Sequence, residues 1–285
     1  MRRILFLLLA LAVAACTAQP EPAQPAFWRV DGPKGERLWL LGTIHALEKP
    51  ALWRSPAIDQ ALKEADRVVV EVRAVTDPAA MTRIFAELGR TDGMPPLSQR
   101  VAADQRPALA ALLRRKNFNE SQFANTETWA AALTLARAGA ERANSANGVD
   151  RAVIEAAGGK PVVELEGAHA QLQIFDRLPE SEQRDLLAAV VRDVPAEDED
   201  PSLAQAWRKG DMATIARETH GGLLADPELR EALLVARNQR WLASVTAMAM
   251  AGHKPFVAVG AAHLAGPEGL PALLAASGFT VTRVQ

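Results

Sequence analysis

A chain of 285 residues, 49% of them apolar, is long enough to bury a full core as one large domain or two small ones. Its 32 Lys plus Arg against 34 Asp plus Glu give a formal net charge of −2 with no long basic stripe, so nucleic acid is excluded as an expected partner. The single cysteine, Cys16, excludes an internal disulfide and a thiolate cluster.

Residues 1–15, MRRILFLLLALAVAA, have a short basic head, an apolar run too short to span a bilayer comfortably, and then small residues, which is the layout of a secretory signal. Val13-Ala14-Ala15-Cys16 resembles the lipobox of bacterial lipoproteins, in which the cysteine is diacylated and becomes the mature N-terminus. Ordinary cleavage near Ala15 is the alternative. The expected location is the bacterial cell envelope, lipid-anchored at Cys16 and facing the periplasm. Thr17, rather than Asp, after the cysteine favours the outer membrane by analogy with Gram-negative sorting. Residues 17–26, TAQPEPAQPA, are Pro-rich and nearly free of apolar bulk, and predict an extended, solvated tether at ~3 Å per residue, roughly 30 Å long. The domain proper is then expected over residues 27–285.

Short apolar, β-rich segments follow at 27–30, 37–41, 67–72, 161–165, 255–259 and 279–284. The first two flank DGPKGE, a turn composition, and predict an antiparallel hairpin. Helical periodicity covers 56–65, 77–88, 104–116, 126–139, 169–178, 180–191 and one long helix over 227–251. The stretch 77–158 has no clear strand and predicts a helical layer. The acids Glu197 to Asp200 read as a solvated loop and helix start. Strands alternating with helices predict an α/β fold: a mixed, mostly parallel central sheet with an edge hairpin, flanking helices and a helical middle segment.

Two of the strands end in the same way. Gly42 and Gly260 close apolar runs, and three residues on come His45 and His263, at the carboxyl edge where open α/β sheets place ligands. One G-x-x-H alone reads as a strand end with a satisfied histidine; two copies favour a shared site. Glu71 ends a third apolar run, and a carboxylate buried there must be paired, protonated or metal-bound. Glu164 and Glu166, at i and i+2, share one strand face and repel unless a cation or a proton intervenes; an Arg or Lys salt bridge is the alternative for each. Two histidines and a carboxylate suit a divalent metal ion, Mn, Co or Zn, which would activate water and polarise a carbonyl. Arg237, beside Asn238 in an otherwise apolar helix, could clamp a carboxylate or stabilise an oxyanion. His169, His220 and His253 have weaker claims.

LWLLGTIHALEKP, RVVVEV, NGVDRAVIEAAGGKPVVELE, QLQIFDRLP, LLVARNQRW and FVAVGAAHLAGPEGLPALLAASGFTVTRV together resemble the TraB/PrgY/GumN family, its GumN-like bacterial branch most closely. The resemblance covers nearly everything after Phe27. It implies an active site built on both G-x-x-H motifs and a glutamate, shared with the Tiki metalloproteases, and an architecture like that of erythromycin-esterase-like and ChaN-like proteins. By position, Gly42 and His45 match the first motif, Glu71 the strand glutamate, Arg237 and Asn238 the helix pair, and Gly260 and His263 the second motif. Gly167 stands where family members often carry Thr, so a hydroxyl is missing. The resulting expectation is a lipid-anchored, metal-dependent hydrolase acting on a peptide or other amide bond. In it His45, His263, Glu71 and Glu166 bind the metal, Glu71 and Arg237 serve catalysis, and Gly42 and Gly260 shape the strand ends. A non-catalytic metal- or haem-binding lipoprotein and a metal-free esterase-like hydrolase are the rivals. The partners in view are a peptide or small-molecule substrate and, through the lipid, a membrane.

Overall fold

A computed structural model describes residues 19–139, 144–192 and 202–285. The expected signal segment, Cys16 and the acidic run at 197–200 lie outside the described residues. Each of the six strands read from the sequence is present in one sheet: β2 (Phe27–Asp31), β3 (Arg37–Thr43), β5 (Arg67–Val70), β6 (Val162–Glu164), β7 (Pro255–Gly260) and β8 (Thr280–Arg283). A separate short parallel pair, β1 (Glu21–Pro22) with β4 (Ala51–Leu52), was not anticipated.

The strand order is β6-β5-β7-β3-β2-β8, parallel from β6 through β3 and antiparallel at both β2–β3 and β2–β8. The fold is thus the expected mixed α/β arrangement, with one correction. The hairpin is not at the edge, because β8 returns from the far end of the chain and pairs with the outer side of β2.

The central strands are apolar throughout because both sheet faces are covered, and their alternation sorts side chains between two cores. Trp39, Leu41, Val68, Val70, Phe256 and Ala258 face one layer, which contains the helices Pro56–Glu64 and Val149–Glu155 and the buried Trp207. Leu38, Leu40, Val69, Val257 and Val259 face the other, built from the helix Ala236–Met250 and the helix Leu270–Ala276. Each of the Val, Leu and Phe side chains among them, fully buried, stabilises the fold by roughly 1.5–3 kcal/mol. The helical middle segment makes a third core around Trp129, Leu112, Leu186 and Leu233.

Two further expectations change. The long helix at 227–251 is interrupted by a π turn at Glu231–Val235, so that Ala236 N–H reaches back to the Glu231 carbonyl. Residues 21–26 are not a solvated tether. Ala23, Pro25 and Ala26 are buried, Glu21 N–H bonds the Pro50 carbonyl at 2.9 Å, and Gln24 N–H bonds the Arg208 carbonyl at 2.6 Å. Packed chain begins at Glu21 because Pro-rich segments are pre-extended and lose little entropy when laid in a groove.

Candidate functional site

β7 lies between β3 and β5, and that placement makes the site. Thr43 is in register with Gly260, and Val70 with Ala258, so all three parallel strands deliver their next residues to one carboxyl edge. Neighbouring strands are ~4.8 Å apart. The two G-x-x-H motifs and the strand glutamate therefore meet although the chain separates them widely.

The two glycines serve close approach. A methyl at Gly42 would stand 3.2 Å from the Ala261 Cβ, and the Gly42 carbonyl accepts a buried 2.9 Å bond from Trp207 Nε1. A methyl at Gly260 would lie 3.3 Å from Glu71 Oε1 and 3.8 Å from both His45 Nε2 and His263 Cδ2. Gly260 is thus the floor on which the three side chains converge.

Glu71 is buried and multiply bonded. Its Oε1 accepts from Gly260 N–H at 2.7 Å, and its Oε2 accepts from Arg237 Nη2 at 2.8 Å and Gln171 Nε2 at 3.2 Å. Burial raises its pKa, but the charges of His263, His45 and Arg237, with the Gly260 N–H, outweigh that and bring it down to about 2. So strong an acid is a poor general base, and the carboxylate acts here as a fixed negative charge.

His263 is also buried. Its Nδ1 donates to Asn238 Oδ1 at 2.7 Å, its Nε2 accepts from Arg237 Nη1 at 3.1 Å, and its ring packs 4.3 Å from that of Trp241. Burial lowers its pKa to about 3, opposed by Glu71 and assisted by the charge of Arg237. It is a neutral imidazole with both nitrogens occupied.

His45 is different: its side chain is 67% exposed. Nδ1 bonds Asp150 Oδ2 at 2.8 Å, and the other Asp150 oxygen accepts from the Thr43 hydroxyl. The Asp150 charge, working against desolvation, raises the His45 pKa to about 9, with Glu71 adding to the effect. Nε2 faces Gly260 and makes no hydrogen bond among the described residues. Asp150 was not singled out from the sequence. An acid in the first turn of a short helix reads as a dipole partner, and only the fold shows that Gly148 and Val149 press against the backbone of Ile44 and His45.

Arg237 has all three guanidinium nitrogens engaged: Nε with Glu166 at 3.0–3.1 Å, Nη1 with the Leu233 carbonyl at 3.0 Å and with His263, Nη2 with Glu71 and, at 2.9 Å, Glu166. Its plane also lies 4.6 Å over the Trp241 ring. Glu164 leaves the group. β6 ends there, and its carboxylate accepts instead from Arg73 N–H at 2.6 Å, so the expected repulsion with Glu166 does not arise. Gly167 follows in a conformation (φ 83°, ψ 157°) that is essentially reserved for glycine, so a threonine hydroxyl could not be added there without moving the backbone. His169 and His220 are exposed, and His253 lies at the opposite sheet edge, bonded to Asp66 and Arg67.

As arranged, these residues do not fit a divalent ion. Glu71, Glu166 and His263 all direct lone pairs at one guanidinium, which would repel it. Among the described residues, carboxylate oxygens of Glu182, Asp185 and Asp226 do lie within 4.8 Å of one another, but on the helical lobe and without the histidines.

The profile of the TraB/PrgY/gumN family matches residues 26–283. The chain belongs to the TraB/PrgY/gumN family. A relative in Escherichia coli (strain K12), the uncharacterized protein YbaP, is 26% identical over 152 residues, which are 52% of this chain and 55% of YbaP. The chain thus spans about half the length of that relative. No solved structure matches. The family match begins at Ala26 and takes in every strand of the large sheet, and the site just described, with both G-x-x-H motifs, lies inside it.

Proposed function

We propose that this edge is the active site of a hydrolase acting on a peptide or other amide bond, with His45 as the proton-transfer group, in a protein anchored to the bacterial envelope through lipid on Cys16. The observation that carries the reading is the His45–Asp150 pair, whose Nε2 opens toward Gly260 and Glu71 at the carboxyl edge. Asp150 holds the Nδ1–H tautomer. In its neutral form His45 takes a proton at Nε2 from a water attacking the carbonyl carbon, and returns it to the leaving nitrogen as the C–N bond breaks. The ionised Glu71 favours the imidazolium formed in between. Arg237, with no nitrogen left for substrate, holds Glu71, Glu166 and His263 in place. The anchor rests on the VAAC sequence, and no helix of the described residues is long and apolar enough to cross a membrane.

The test is a fluorogenic peptide library presented to a soluble form beginning at Thr17. His45→Ala and Asp150→Asn should each lower kcat by ~10²–10⁴ with KM nearly constant. Turnover by the parent should rise with pH toward about 9, and Asp150→Asn should move that midpoint down toward the ordinary histidine value. Full turnover without His45 would refute the assignment.

A further inference from the structure

Arg237 occupies the meeting point of three residues, Glu71, Glu166 and His263, whose side-chain types are those that bind metal ions. A first-row divalent ion needs lone pairs from imidazole nitrogen and carboxylate oxygen. Here the lone pair of His263 Nε2 and oxygens of Glu71 and Glu166 accept from the guanidinium at 2.8–3.1 Å. The side chains of Arg237, Glu71 and Glu166 are each less than one-tenth exposed, so water cannot readily replace a broken contact. An ion entering beside Arg237 would place two cations together in a poorly screened site, and the guanidinium cannot lose its charge to relieve this. Arg237 is itself held from outside the cluster. The Leu233 carbonyl, inside the π turn, accepts from Nη1, and the Trp241 ring covers its face. Asn238, the next residue, fixes His263 while donating to the Glu268 carbonyl at 2.7 Å. The helix thus delivers the cation and orients one of its partners with two adjacent side chains.

We propose that Arg237 is the resident cation of this site: it excludes a divalent ion from Glu71, Glu166 and His263, and the site gains a metal ion once a neutral side chain takes its place. The inference does not depend on turnover, so its failure and that of the hydrolase reading are separable.

The experiment is equilibrium dialysis of the soluble form against Co²⁺ and Zn²⁺, with the visible spectrum of Co²⁺ reporting imidazole coordination. The parent protein should hold no ion that Glu71→Gln or His45→Ala removes. Arg237→Gln should bind one Co²⁺ roughly tenfold or more tighter than the parent, and lose it again when Glu71→Gln or His263→Ala is added. Arg237→Lys, which keeps the charge, should remain as free of Co²⁺ as the parent. Ions taken up at Glu182, Asp185 and Asp226 are recognised because they survive Glu71→Gln. One tightly held ion in the parent that depends on Glu71 or His45 overturns the proposal, as does a folded Arg237→Gln that gains none. Should Arg237→Gln fail to fold, the parent and Arg237→Lys decide: an ion dependent on Glu71 in either overturns it, and its absence from both supports it.

Discussion

Three ionisable side chains within one small cluster depart from their ordinary behaviour in ways that give the fold a specific pH dependence. His263 titrates near 6.5 in an unfolded chain and at about 3 in the folded one, so between those values the unfolded state carries a proton the folded state refuses. Its contribution is complete above pH 6.5 and is lost as pH falls toward 3. Glu71, lowered from 4.5 to about 2, adds a second loss lower down. His45 works in the opposite sense: raised from 6.5 to about 9, it stabilises below pH 6.5 and that contribution disappears as pH rises through 9. Stability should therefore decline by a few kcal/mol between pH 6.5 and 4, before most carboxylates protonate. In His263→Gln the part of this decline above pH 4.5 should flatten. Urea midpoints across that range measure it, and an unchanged slope in the variant would show that His263 is not the group responsible.

At the scale of elements, β3, β5 and β7 could be read from sequence because their apolar runs are uninterrupted and their exits carry a glycine or a carboxylate. The helix Val149–Glu155, with Asp150, gave no comparable signal. Its importance comes from a contact to Thr43 across 107 positions, which local periodicity cannot encode. The π turn was equally hidden, since its residues, EALLV, have ordinary helical composition. β1 was misjudged for a different reason: a Pro-rich segment looks the same to composition whether water or protein surrounds it. Here it lies along β4, and Glu21 pairs with Lys49 at 2.8 Å and Arg208 at 3.2 Å. The exposed Lys49 pair adds little, but the buried Ala23, Pro25 and Ala26 and their backbone bonds add more. A form beginning at Phe27 should be less stable than one beginning at Thr17 by about 2–4 kcal/mol. Equal denaturation midpoints for the two would mean that the segment is only resting on the surface.

For the whole molecule, the reading that the sequence supported furthest was the convergence of both histidine motifs, which needs only that two parallel strands be adjacent. What they converge on was less legible. Residue types alone suggest a metal cage, whereas the position of Arg237 depends on how a helix from late in the chain crosses the sheet edge. The anchoring proposal belongs to this scale as well. Labelling with a palmitate analogue should mark the full-length protein and be absent from Cys16→Ala, with the domain's melting unchanged. Label persisting in the variant would remove Cys16 as the attachment point.

The docked N-terminal segment bears on how such an anchor would act. With the chain held from Glu21 onward, only the five peptide links from Cys16 lie between lipid and domain, a span of at most ~18 Å when fully extended. A leash that short permits tilting but little roaming. It would keep one particular side of the molecule toward the headgroups, the side where Leu52, 59% exposed, pairs with Pro22. The loop gripped there runs back through Lys49 to His45, so attachment to the bilayer and the posture of the exposed histidine would be mechanically linked rather than insulated from each other by slack chain.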